Sequence, residues 1–153
     1  MIAHIQALAS FEAVLRTQGL IAGLEFLNAR VPHRVTAVYL ISGHHMKNVA
    51  VFDKNGHTES LSLAQVPIAD SFCQYVLADR PFVTNDSAHD TRLDGNPHQG
   101  AVACYVGLPL TRTGNDLFGT FCHLDFVMRD IDDDEFEFLQ HAVRAIPRFM
   151  PHA

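Results

Sequence analysis

Cys73, Cys104 and Cys122 are the residues with the chemistry for covalent work. A thiol attacks or cycles between redox states only as a thiolate, which needs a polar and partly exposed setting. The spacing around each cysteine argues for the opposite. Cys73 shares a helical stripe with Phe72, Val76 and Leu77; Cys104 alternates with Val106, Leu108 and Leu110; Cys122 alternates with Phe118, Thr120, Leu124 and Phe126. All three read as small core hydrophobes. His123 and Asp125 stand two apart on one predicted strand and so point to one face. An imidazole beside a carboxylate binds metal, accepts a proton or completes a polar network. Two donors fall short of a metal centre, so a satisfied structural pair is expected, with no metal and no catalytic residue. His44 and His45 are weaker still, because neighbours on a hairpin point apart. Tyr105, Gly107 and Pro109 share a face, and Gly107 leaves room where a ligand or another backbone can approach. A ring of Phe72, Tyr75, Tyr105, Phe121 and His123 would enclose an apolar space with few polar points, as small-molecule sites do. Plain core packing is the alternative for the same aromatics.

The elements that must position these groups are legible from periodicity. Ile5, Leu8, Phe11 and Leu15 repeat at helical spacing up to Gly19, and Leu20, Leu24, Leu27 and Val31 make a second stripe ended by Pro32. Strands are predicted over 36–41, 48–52 and 57–63, the first two joined by a turn over 43–47 and the last two by Asp53-Lys54-Asn55-Gly56. Ser71 and Gln74 match a capping box opening a short helix over 72–78, which Pro81 closes. Residues 85–100 make a long, polar, mobile connection, and loops of that length are often functional. Strands resume over 101–111, where Pro109 marks an edge or bulge, and over 117–126. Asp132 and Glu135 form a second capping box, with Ile131 and Phe136 as its hydrophobic staple. The helix that follows carries two apolar seams. Phe136, Leu139, Val143, Ile146 and Met150 cover a sheet; Phe138, Ala142, Ala145 and Phe149 cover the N-terminal helices or another subunit. Pro147 should kink the last turn.

Composition narrows the functional classes. A chain of 153 residues, 48% hydrophobic and 18% charged, has the material for one domain with a real core. Net charge is −6 with 11 Lys and Arg, too few for a basic face that neutralises several phosphates, so nucleic acid is not an expected partner. Ten histidines would carry the charge from −6 to +4 if all were protonated, so surface charge should vary strongly between pH 7 and pH 5. No signal-like start and no run near the ~18 apolar residues of a membrane helix is present. Three cysteines without ligand-like spacing fit a reducing cytoplasm, the expected location, better than a disulfide framework.

Four pieces in fixed order then carry a resemblance: Asp70-Ser71-Phe72-Cys73, Phe82-Val83-Thr84-Asn85-Asp86, Tyr105-Val106-Gly107-Leu108-Pro109-Leu110, and Phe118-Gly119-Thr120-Phe121-Cys122-His123-Leu124-Asp125, followed by Arg129 and Leu139. Together they resemble the signature of the GAF domain family across about residues 10–150, making 1–153 a single GAF-like domain. The resemblance implies an α+β, PAS-related fold. A central antiparallel sheet of about six strands would carry the N- and C-terminal helices on one face and a short helix plus loops over the other. It also implies that Asp86, Asp90 and Arg92 border a pocket, ion pairing within the loop being the alternative. The implied site is Phe72, Cys73, Tyr75, Asp86, Asp90, Arg92, Tyr105, Gly107, Phe121, His123 and Asp125, taking a small molecule and no fixed cofactor.

Departures from the branches of the family are informative. Free methionine-(R)-sulfoxide reductases resemble this chain at Cys73 but need another cysteine in the following loop, and residues 84–101 contain none. Cys122-His123 lies in a strand, unlike the Cys-His pair of bilin-binding members, and the Asn-Lys-Xaa-Asp-Glu pattern of cyclic-nucleotide binders is absent. The expectation is a non-catalytic sensory module. With no output domain in the sequence, it would signal through a partner protein or as a homodimer. Two alternatives stay open: a thiol-based redox enzyme or sensor, and an interaction module with a vestigial pocket.

Overall fold

The computed structural model describes residues 2–56, 65–112 and 116–151. Two helices open the chain, α1 over Ile2–Gln18 and α2 over Leu20–Asn28, divided at Gly19, whose φ of 94° is open to glycine and strained for other residues. Strands β1 (Val35–Ser42) and β2 (His45–Asp53) form a hairpin, with β3 (Gln65–Pro67) outside it. Helix α3 (Cys73–Asp79) leads to β4 (Phe82–Thr84), and after a long connection come β5 (Cys104–Thr111), β6 (Leu117–Asp125) and α4 (Asp133–Ala142). The six strands make one antiparallel sheet in the order β3-β2-β1-β6-β5-β4.

Each face of the sheet has its own core. Phe11, Leu15, Leu24 and Leu27 of α1 and α2, with Phe138, Leu139 and Ile146 from the C-terminal region, bury Val38, Val106, Leu108 and Phe121. On the opposite face Phe72, Cys73 and Val76 of the α3 region meet Ala37, Tyr39, Tyr105, Cys122 and Leu124. This is the expected α+β arrangement of helices behind the sheet and a short helix with loops in front.

Local chemistry departs from expectation in instructive places. The β1–β2 turn is only Gly43 and His44, so β2 begins at His45 instead of residue 48. The strand expected over 57–63 lies outside the described residues. The Gln74 N–H reaches Ser71 Oγ at 3.3 Å, but the Gln74 amide donates to the Ser71 and Ala69 carbonyls, because the Ser71 N–H already serves Ile68 O. Asp132 precedes α4 without a side-chain cap; Glu135 pairs instead with Arg30 at 3.0 Å, tying α4 to the end of α2. Pro109 sits in an inner strand, yet β4 reaches only Tyr105–Gly107, so the missing N–H has no neighbour to serve. The second seam of the last helix turns inward. Phe138, Ala142 and Ala145 are buried in the helical core, Phe138 beside His4 and under Arg30, so the chain itself covers them. After α4, two 3-10 turns, Val143–Ala145 and Pro147–Phe149, accommodate Pro147.

The connection expected to be a mobile loop is folded upon itself. It carries 3-10 turns at Ser87–His89 and Thr91–Leu93. Buried Ser87 donates to Val102 O and accepts from the Gly100 N–H, while the Gln99 amide reaches Ser87 O and Asp90 O. These bonds hold residues 98–102 against the sheet, where they become a wall.

Candidate functional site

A cavity of about 270 Å³ lies between that wall, α3 and the front of the sheet. Its floor is Tyr39 of β1, Tyr105 of β5, and Cys122 and Leu124 of β6; Phe72 and Cys73 form one side, and His98, Ala101 and Val102 another. No Asp, Glu, Lys or Arg is among the described lining residues. Tyr39 stands where β2 bulges, the register shifting between Val38 and Tyr39, and the Asn48 amide bridges Val38 O and Ala50 O across the irregularity. Bulges re-aim the side chain beside them.

Cys73 closes the inner end. Its sulfur accepts from the Tyr105 and Thr120 hydroxyls, each at 3.3 Å, and burial raises its pKa, leaving a protonated thiol near neutral pH. Cys104 is elsewhere, its thiol donating to Val127 O at 3.3 Å and pushed up to about 11 by burial. Cys122 is buried, with its pKa raised by desolvation. All three cysteines are free.

Gly107 underlies the arrangement. A Cβ there would stand 2.4 Å from the Tyr105 ring and 2.5 Å from a Val76 methyl. The missing side chain is the space in which Tyr105 lies to reach Cys73. Gly107→Ala should therefore drive Tyr105 off Cys73 at a cost of about 1–3 kcal/mol, read by urea denaturation. A variant as stable as the parent, with its Tyr105 environment unchanged, would refute this.

The structure divides the expected site residues into three groups. Phe72, Cys73 and Tyr105 line the cavity, with Gly107 beneath. Tyr75, Asp90 and Arg92 cluster at the β4 edge: Tyr75 stacks on Phe82 at 5.0 Å, Arg92 lies 4.4 Å over the same ring and donates to Val83 O, and the Arg92 guanidinium holds the Asp90 carboxyl down at about 2. Asp86 nearby takes His89 Nδ1 at 2.8 Å. These ion pairs fasten the folded connection and do not line the cavity. Phe121, His123 and Asp125 belong to the other side of the sheet. Val106 is opposite His123 and Leu108 opposite Phe121, so both share the helical face, away from Tyr105. His123 Nδ1 meets Thr36 Oγ1 at 2.6 Å, while Asp125 accepts from the Arg34 and Phe126 N–H groups and from Arg129. His123 and Asp125 thus serve separate networks. Among the described residues no three His, Cys, Asp or Glu side chains converge as a metal site, and no helix is long and apolar enough to cross a membrane.

Sequence reasoning missed Tyr39, His98 and Leu124 as lining residues. The register that sets Tyr39 beside Thr120 across β1 and β6 is the signal that would have found Tyr39, and it exists only between strands.

No family model matches the sequence, and no curated protein matches it. Solved structures do match in shape. The GAF domain of an Acinetobacter phosphoenolpyruvate-protein phosphotransferase is 11% identical with a TM-score of 0.76, over 96% of this chain and 92% of that one. The free methionine-R-sulfoxide reductase of Neisseria meningitidis, in complex with its substrate, is 12% identical with a TM-score of 0.74, over 95% and 86%. The chromophore-binding domain of a bacteriophytochrome from R. palustris is 12% identical with a TM-score of 0.71, over 93% of this chain and 58% of that one. The chain has the fold of a GAF domain. At such identities the likeness speaks to fold, and a shared fold hosts both sensors and enzymes.

Proposed function

We propose that this GAF-fold domain is a non-catalytic sensory or regulatory module that binds a small molecule and signals through a partner protein or a second copy of itself. One observation carries the reading: a cavity of about 270 Å³, walled by apolar and aromatic groups, beside a thiol that burial keeps protonated. Pockets of this make-up bind ligands by shape and a few directed hydrogen bonds. A dimer would not use the second seam of the C-terminal region, which α1 and α2 help to cover.

Cys73 on the cavity wall favours a second reading, a thiol-based enzyme akin to the reductases that share the fold. Two features weigh against it. Cys104 faces away from the cavity, and no Asp, Glu, Lys or Arg among the described lining residues meets the charged ends of an amino acid. The discriminating experiment incubates the protein with free methionine (R)-sulfoxide and a dithiol while following methionine release. In parallel, neutral aromatic compounds are screened for a rise in Tm. Sensor behaviour is a Tm rise with no cysteine-dependent turnover; turnover abolished by Cys73→Ala would overturn it.

A further inference from the structure

Tyr39 has an unused polar group at the site. The residue is 4% exposed and lines the cavity, and its hydroxyl has no hydrogen-bond partner among the described residues. The neighbouring hydroxyls are engaged: Tyr105 and Thr120 donate to Cys73, and Ser71 donates to Ile68 O while accepting from Gln74. An unpaired phenol beside an apolar cavity gains a directed bond from an acceptor that enters it. Desolvation also raises the Tyr39 pKa, so the phenol is a neutral donor.

Size and charge restrict what it meets. A ~150 Å³ apolar cavity holds benzene, so on that scale the space here takes roughly ten to twelve non-hydrogen atoms. The walls include the rings of Tyr39, Phe72, Tyr105 and Phe126, which favour a flat partner, and among the described residues they hold no Asp, Glu, Lys or Arg to pair with a charged one. We propose that the cavity takes a neutral, flat aromatic molecule of bicyclic size bearing a hydrogen-bond acceptor, and that the Tyr39 hydroxyl recognises that acceptor. This rests on the small-molecule reading above and adds the ligand class and the anchoring residue.

Quinoline and naphthalene test it, being nearly equal in shape and differing by one ring nitrogen. Both are titrated calorimetrically at pH 7.5 into the parent and Tyr39→Phe. In the variant the quinoline-to-naphthalene affinity ratio should fall at least fivefold, with naphthalene binding unchanged. An unchanged ratio overturns the Tyr39 assignment and leaves the small-molecule site standing; failure of both probes to bind the parent overturns both. Should Tyr39→Phe fail to fold, 13C-tyrosine labelling of the parent decides instead. The Tyr39 Cζ signal should move further with quinoline than with naphthalene, and equal movement refutes the hydrogen bond.

Discussion

Gly119→Ala should be among the most damaging single substitutions in this protein, costing about 3 kcal/mol or more. Gly119 lies in β6, between Leu40 of β1 and Leu110 of β5, at the centre of the sheet. A Cβ there would stand 2.2 Å from the carbonyl oxygen of Tyr39. The contrast with Gly107 is mechanical. At Gly107 the obstructing atoms are side chains that can rotate, whereas at Gly119 the obstacle is the backbone of the neighbouring inner strand. Relief requires β1 and β6 to part, which breaks ladder bonds and carries Tyr39 out of position. A loss of this size is a large share of the ~5–15 kcal/mol that holds a typical domain together. Urea denaturation of the parent and of both alanine variants checks the order: Gly119→Ala least stable, Gly107→Ala intermediate. A Gly119→Ala protein within 1 kcal/mol of the parent would mean that the close strand approach is absent.

What the sequence disclosed and what it withheld divide along a physical line. Signals within one segment were readable, such as the break at Gly19, the hydroxyl of Ser71 meeting the Gln74 N–H, and the turn closed by Gly56 with its φ of 70°. Side-chain alternation placed His123 and Asp125 on one face, and the expected aromatic ring grouped Phe121 and His123 with Tyr105; the structure keeps Phe121 and His123 together, their rings meeting at 5.0 Å, on the face away from Tyr105. Alternation could not say which face of β5 they join. That depends on the β5–β6 register, in which one residue of slip exchanges the two sides. For the same reason Phe72, Cys73 and Tyr105 were found and Tyr39 was not. Residues 35–40 of β1 are buried on both faces, which erases the alternation that marks a cavity side. Glu135 was misjudged for a related reason, because its partner Arg30 is 105 residues away and a local capping rule does not see it.

Acid should destabilise the protein through two histidines that the fold holds neutral. His33 and His123 are fully buried with ring centroids 5.8 Å apart. The Thr36 hydroxyl, which also accepts from the Asn28 amide, meets His123 Nδ1 at 2.6 Å, so any further partner of that ring has to reach its Nε2. That Nε2 and both ring nitrogens of His33 have no protein partner among the described residues. Protonation would therefore bury a cation with no acceptor at any of these three nitrogens. Burial lowers His33 to about 4, with Asp125 pulling its pKa up and Lys54 and Arg129 pulling it down; burial likewise holds His123 well below its ordinary value, with His33 and Lys54 adding to the effect. In the unfolded chain both rings titrate near 6.5. Below that pH the unfolded state binds protons that the folded state refuses, so stability falls as pH falls from about 6.5 toward 4. Each ring contributes a slope of about 1.4 kcal/mol per pH unit while the difference persists. The Asp90–Arg92 pair adds its own loss only lower, between 3.8 and about 2. Urea denaturation from pH 7.5 to 4.5 reads the slope directly. Replacing His33 by Phe should flatten the curve by about one ring's share, since the His123 term remains. Parallel curves for parent and variant would show that His33 takes up its proton as easily folded as unfolded, and that its burial does not oppose the charge.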